Sequence, residues 1–214
     1  MQRTGEESYI SSLELKRVEV ILKAWACVVA LMLGLFAAGA EAQAVDKSWA
    51  IDHVLGRADA PITIIEYSSL TCSYCARFYE EVHPRLKEEW IDTGKAKLIF
   101  RDFPLDSGAL AAALIAQSSG DRYFAFLGAY FKAQHQWTQA KDPLAAIKNI
   151  GRLGGLDAAT IDAALANRGL IQELKNRKQD GVDRYHIEAT PSFIINGKLH
   201  TGGMSYDEFV KLLK

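Results

Sequence analysis

The chain has 214 residues, 49% hydrophobic and 24% charged, with 25 Lys+Arg against 26 Asp+Glu. That composition excludes a wholly disordered or collagen-like chain, and near-neutrality removes the electrostatic case for a nucleic-acid or anionic-membrane partner. Its 3 cysteines are too few for a multi-disulfide scaffold.

Residues 1–23 are polar and carry Lys16, Arg17 and Lys23. Residues 24–39 are uncharged and apolar, and Ala40-Glu41-Ala42 follows as a small-x-small exit. A basic start, a short apolar core and such an exit predict a signal peptide over residues 1–42. The alternative is an uncleaved anchor, but the apolar run is shorter than the roughly 20 residues a span needs. Cys27 opens that run and leaves with it. The expected mature chain is formally neutral, is exported to the periplasm and keeps two cysteines, Cys72 and Cys75. In an oxidising compartment these are a redox pair or two metal ligands.

Residues 45–60 read as a polar lead. Residues 61–68 (PITIIEYS) are apolar and β-branched between Pro and Ser, which predicts a buried strand. After Cys72-Ser73-Tyr74-Cys75, apolar residues at helical spacing (Phe78, Val82, Leu86, Trp90) predict one helix over residues 76–90, stopped by Gly94. Residues 96–103 read as a second strand ended by Pro104. Helices are predicted over 107–118, 121–134, 142–153, 157–165 and 169–185. The aromatic stripe Phe124, Leu127 and Phe131 reads as their core, and Trp137, in the polar stretch 134–141, as a substrate-facing residue. Residues 192–196 (SFIIN) and 198–201 form strands around Asn196-Gly197, a strong hairpin signal. Ser205 with Glu208 opens a last helix as a capping box. The order β–CxxC–α–β, helices, then ββα gives an α/β fold around one mixed sheet.

A C-x-x-C between a strand and a helix puts both sulfurs in the helix's first turn. The free N–H groups and the macrodipole there favour a thiolate. Cys72, at the exposed end, becomes the nucleophile, and the more covered Cys75 resolves the mixed disulfide. Glu66 interrupts an apolar strand six residues before Cys72; buried carboxylates are costly, and one placed beneath the cysteines would exchange protons with Cys75. The alternative is an edge position facing solvent. Pro191 precedes the SFIIN strand, where a proline commonly marks a strand start. Zinc needs two further ligands, and His53, His83, His135, His186 and His200 are all distant in sequence, so no metal is expected. A structural disulfide in a peptide-binding module remains as a non-enzymatic reading.

The segments PITIIEYSSLTCSYC, FYEEVHPRLKEE and ATPSFIING resemble the DsbA family of secreted thiol–disulfide oxidoreductases, over nearly the whole mature chain. The resemblance implies a thioredoxin fold with an inserted all-helical domain. Residues 43–104 and 184–214 would form the thioredoxin part and 105–183 the helical insert. It implies a cis Thr190-Pro191 bond packed against the cysteines and matches Glu66 to the family's buried acid. Cys72, Cys75 and Glu66 are then catalytic, and Ser73, Tyr74, Thr190 and Pro191 contact substrate. The central Ser73-Tyr74 departs from the Pro-His of the strongest oxidants, which leaves oxidase, isomerase and reductase roles open. No cofactor is expected. The implied partners are unfolded or reduced exported proteins and a membrane reoxidant of DsbB type. The short lead before the first strand favours a monomer.

Overall fold

The computed structural model describes residues 52–214. The expected signal segment lies outside them. Among the described residues no helix is long and apolar enough to cross a membrane.

Five strands, β1 (His53–Leu55), β2 (Ile62–Ser68), β3 (Ala96–Asp102), β4 (Ser192–Ile195) and β5 (Lys198–Thr201), form one sheet in the order β1-β3-β2-β4-β5. β2 pairs parallel with β3, and all other pairs are antiparallel. The apolar run of β2 is explained by its central place, with a strand on each side and cover on both faces. Glu66 stands opposite Phe100 on one neighbour and Phe193 on the other. Alternation puts Ile64, Glu66 and Ser68 on one face and Ile65 and Tyr67 on the other. Asn196 (φ 51°) and Gly197 (φ 77°) make the β4–β5 turn; two positive φ angles are what a type I′ turn needs.

The helix after the cysteines differs from the expected single rod. α1 (Ser73–Glu81) ends at Val82, α2 (His83–Leu86) restarts, and a π-helical turn covers Lys87–Ile91. Pro84 explains the break: it has no N–H to donate, and its ring would clash with the preceding turn of a continuous helix. Phe78 and Leu86 still reach the core, beside Ile64, Phe193 and Phe209.

Between β3 and β4 run six helices: α3 (Ser107–Gln117), α4 (Tyr123–Lys132), α5 (Gln134–Thr138), α6 (Pro143–Leu153), α7 (Ala158–Ala166) and α8 (Arg168–Tyr185). α9 (Tyr206–Lys211) closes the chain with the Ser205–Glu208 capping box. Asp106, Asp142, Asp157 and Asn167 cap α3, α6, α7 and α8, each accepting a backbone N–H three residues on. The caps set the helix starts within one residue of the sequence pattern. This arrangement is the thioredoxin fold with its helical insertion. Leu70, Cys75 and Phe100 share one apolar cluster with Leu127, Phe131 and Trp137, so the helices pack directly on the cysteine-bearing end of the sheet.

Three further expectations need correcting. The lead is not featureless, because His53–Leu55 adds β1 to the free edge of β3. Three residues are too few to show an alternation, so only the sheet edge recruits them. Phe124 is just half-buried, while Phe126 and Tyr130 join Leu127 and Phe131 inside, because a 3₁₀ turn at Gly120–Arg122 resets the helical phase. Trp137 does not face solvent: it is 2% exposed and donates its indole N–H to the Tyr130 carbonyl at 2.9 Å.

α8 lies against the other sheet face so closely that a Cβ at Gly181 would stand 2.7 Å from Tyr67 Cε1. Tyr67 is fully buried and has nowhere to retreat. Gly181→Ala is therefore expected to destabilise the fold by about 1–3 kcal/mol, the usual cost of overpacking, measured by urea unfolding.

Candidate active site

The site is built where β2 runs into α1. Cys72 is the N-cap of α1, in an extended conformation, and its sulfur accepts the Cys75 backbone N–H at 3.4 Å. Cys72 is partly exposed, Cys75 is buried, and both carry free thiols. The Thr190–Pro191 bond is cis. It presents the Thr190 carbonyl to Cys72 Sγ at 3.2 Å, although Thr190 is 118 residues away in sequence. Pro191 is buried behind it, and its own carbonyl accepts Gly202 N–H at 2.8 Å. Ser73 and Tyr74 are exposed on the outer side of the cysteines, and the Arg77 guanidinium lies 5.4 Å from the Tyr74 ring centre.

These surroundings separate the two thiols. The Cys75 thiol, hydrogen-bonded to the Cys72 sulfur, is the main cause that lowers Cys72 from 9.0 to about 5. Partial burial opposes the shift, and Thr190 and the Cys75 and Tyr74 backbone N–H groups add to it. The short contact with the Thr190 carbonyl suits only the protonated sulfur, because a carbonyl can only accept. The Thr190 hydroxyl is buried and without a hydrogen-bond partner, and is available to the thiolate. Cys75 is displaced in the opposite sense: burial, then the neighbouring Cys72 sulfur, hold it firmly as a thiol.

Two acids are buried in this half of the sheet, and they differ. Asp102 accepts hydrogen bonds from Gln117 Nε2 at 2.8 Å and the Tyr123 hydroxyl at 2.9 Å. Glu66 is fully buried, and neither carboxylate oxygen has a hydrogen-bond partner. Burial pushes its carboxyl up to about 7. The nearby Ser68 hydroxyl opposes the rise without reaching hydrogen-bonding geometry, and Cys72 adds to it. A satisfied acid such as Asp102 serves structure. An unsatisfied acid with a pKa near neutrality, in a redox site, is suited to moving a proton. The edge-strand alternative for Glu66 does not hold, since β2 is central.

Sequence reasoning passes over Gln134. Its Nε2 donates to the Leu70 carbonyl at 2.8 Å and the Cys72 carbonyl at 3.0 Å, which ties α5 to the loop that carries the nucleophile. Nothing in the local sequence marks it, since a glutamine in a polar stretch is the commonest surface pattern. The histidines are scattered: His53 stacks on Tyr123, His83 stacks on Tyr79, His135 is exposed, and His186 takes the left-handed C-cap of α8. Among the described residues no three His, Cys, Asp or Glu side chains are grouped to hold a metal.

The thioredoxin family model matches residues 50–214. The alpha-DsbA1 structure of Wolbachia pipientis is 32% identical, with a TM-score of 0.71 over 75% of this chain and 87% of that one. A protein-disulfide isomerase from Novosphingobium aromaticivorans is 25% identical, with a TM-score of 0.66 over 76% of this chain and 97% of that one. A Rickettsia bellii protein named as a protein-disulfide oxidoreductase is 30% identical over 148 residues, 68% of this chain and 57% of its own length. The chain thus spans a little over half of that relative. A matching family model over residues 50–214, a thioredoxin sheet with a helical insertion and a helix-capping C-x-x-C together place the chain in the DsbA branch of the thioredoxin family.

Proposed function

We propose that this protein is a thiol–disulfide oxidoreductase that introduces disulfides into reduced exported proteins through Cys72 and Cys75. The observation that carries the reading is the placement of the two thiols: Cys72 is partly exposed at the N-cap of α1 and accepts the Cys75 N–H, which favours its thiolate, while Cys75 is buried one turn in, which holds it as a thiol. In the oxidised protein a client thiolate attacks Cys72 Sγ. The Cys72–Cys75 bond breaks, and Cys75 leaves as a thiolate that takes a proton from Glu66. A second client thiolate then attacks the client sulfur of the mixed disulfide, and Cys72 departs as a stable thiolate. The client loses two electrons and the protein gains them. A leaving group with a low pKa departs faster and favours the reduced protein, which makes the disulfide oxidising. The expected signal peptide over residues 1–42, with its apolar core at 24–39, supports export to the periplasm, where a membrane reoxidant of DsbB type would restore the disulfide. Ser73, Tyr74, Thr190 and Pro191 border Cys72 and would meet the client backbone.

The deciding measurement is the reduction potential against glutathione. A value above about −200 mV is expected for an oxidase, whereas one near −270 mV would make the protein a reductase.

A further inference from the structure

Folded proteins leave few buried polar groups unpaired, and each that remains calls for a reason. Among the described residues five buried side-chain atoms have no hydrogen-bond partner: both carboxylate oxygens of Glu66, Ser68 Oγ, Thr190 Oγ1 and His83 Nε2. Four of the five belong to residues that act on the two cysteines. Thr190 faces Cys72 and Glu66 is the buried acid, which leaves the Ser68 hydroxyl to be explained. Ser69 makes the contrast. It is as buried as Ser68, at 1% exposed. Its Oγ accepts the Leu105 N–H at 3.3 Å and the Thr71 N–H at 3.5 Å, and meets the Thr71 hydroxyl at 3.2 Å. The Ser69 hydroxyl thus holds the loop together, whereas the Ser68 hydroxyl holds nothing.

Strand and helix together set its position. Ser68 follows Ile64 and Glu66 on one face of β2, about 6.6 Å beyond Glu66 along the strand. α1 connects β2 to its parallel neighbour β3, so it runs back over the sheet against the direction of β2. Phe78 of α1 shares an apolar cluster with Ile64. Cys75 lies one helical turn nearer the N-terminus of α1, about 4.5 Å along the axis and on the same side. That step carries its sulfur from above Ile64 toward Glu66 and Ser68. The Ser68 hydroxyl is near enough to act on the Glu66 carboxyl and on the Cys75 thiol, favouring the anion of each.

Resting on the oxidoreductase reading above, we propose that Ser68 is the proton relay between Glu66 and Cys75. A hydroxyl donates and accepts at once, so it passes a proton without holding a charge. When the client thiolate attacks Cys72 and the disulfide breaks, the electron pair of that bond goes to Cys75 Sγ. The Ser68 O–H proton moves to this sulfur as the Glu66 carboxyl proton moves to Ser68 Oγ. The hydroxyl ends as it began, Cys75 is a thiol and Glu66 a carboxylate. Reoxidation runs the same transfers backwards. A hydroxyl tied down like that of Ser69 could not turn between the two partners, so the unpaired state of Ser68 is what the role requires.

The test follows reduction of the oxidised protein by excess reduced glutathione with stopped-flow fluorescence, each rate corrected for the fraction of glutathione present as thiolate. Ser68→Ala is expected to slow cleavage of the disulfide about a hundredfold, the same loss as Glu66→Leu. The double variant should lose no more, because the two residues serve one pathway. The titratable groups facing Glu66 are Cys72, Tyr79 and Tyr123. In the oxidised protein Cys72 is bound in the disulfide, and burial keeps both tyrosines protonated. The corrected rate of the unaltered protein should therefore fall as Glu66 loses its proton near pH 7, and that of Ser68→Ala should stay flat. Ser68→Ala should melt no lower than the unaltered protein, since its hydroxyl has no hydrogen bond to lose. An unchanged rate in Ser68→Ala beside a slow Glu66→Leu overturns the relay and leaves Glu66 serving Cys75 without it. A slower rate that keeps the fall near pH 7, additive losses in the double variant, or a lower melting temperature also overturns it. Failure of glutathione to reduce the unaltered protein overturns the oxidoreductase reading itself.

Discussion

Cys72→Ser is expected to abolish peptide oxidation, a loss of several orders of magnitude typical of a deleted nucleophile. Cys75→Ser, which leaves no disulfide to give, should abolish it too, but its Cys72 thiolate should still attack a disulfide-bearing peptide and stay joined to it as a mixed disulfide that Cys75 is no longer there to resolve. The difference follows from placement. Cys72 is partly exposed at the helix N-cap, and Cys75 is fully buried one turn in. In the reduced protein only Cys72 should react with iodoacetamide at pH 6–7, with a midpoint near the value of about 5 set chiefly by the Cys75 thiol. Cys75→Ala removes that donor and should move the midpoint upward, while Cys75→Ser, which keeps a hydroxyl, should move it less. Stability follows with a definite sign. The thiolate's pKa is lowered on folding from 9.0 to about 5. Its contribution is therefore fully present above about pH 9 and lost as pH falls through about 5. The melting temperature of the reduced protein should rise across that window, and the oxidised protein should lack the rise. Alkylation rates with a flat pH profile would remove the thiolate mechanism.

Glu66→Leu should make the protein more stable and less active. The folded pKa of Glu66 is raised from 4.5 to about 7. Between these values the unfolded chain has already released the proton that the folded chain retains, so stability declines as pH rises through the window and the penalty is complete above about 7. A shift of this size corresponds to about 3 kcal/mol, which Glu66→Leu should recover at pH 8 and not at pH 4. The carboxylate has no hydrogen bond to lose, and leucine suits the apolar neighbours Phe100 and Phe193. The price is proton transfer: departure of Cys75 should slow by about a hundredfold, the low end of general acid–base effects. Urea unfolding at the two pH values and stopped-flow fluorescence on the reduced–oxidised transition measure the two halves. Lower stability at pH 8 in the variant would show that Glu66 serves packing instead.

Local signals in the sequence were enough wherever one short segment decides its own structure. The run ITIIEYS forms a strand in any sheet that can cover both its faces, and the central place of β2 supplies that cover. Asn196-Gly197 accepts the positive φ angles of its turn without help. Asp106, Asp142, Asp157 and Ser205 start helices because each side chain satisfies a backbone N–H three residues away. The strand-to-helix position of the C-x-x-C was legible for the same reason, and with it the N-cap place of Cys72.

What depended on distant residues was not legible. β1 exists because β3 has a free edge, so His53–Leu55 carries no alternation of its own to reveal it. Trp137 reads as a surface residue in its polar surroundings, yet α5 folds back far enough to bury it against Tyr130. Gln134 acts on carbonyls more than sixty residues away. The sequence determined by itself most of the elements, though not β1 or the break at Pro84, together with the nucleophile and the presence of an acid in the strand behind it. Only the tertiary structure decided that the acid is unpaired and that the Thr190 carbonyl stands 3.2 Å from the Cys72 sulfur. Capping and pleating are energies of neighbours along the chain, whereas desolvation and side-chain pairing are set by whatever folding brings alongside.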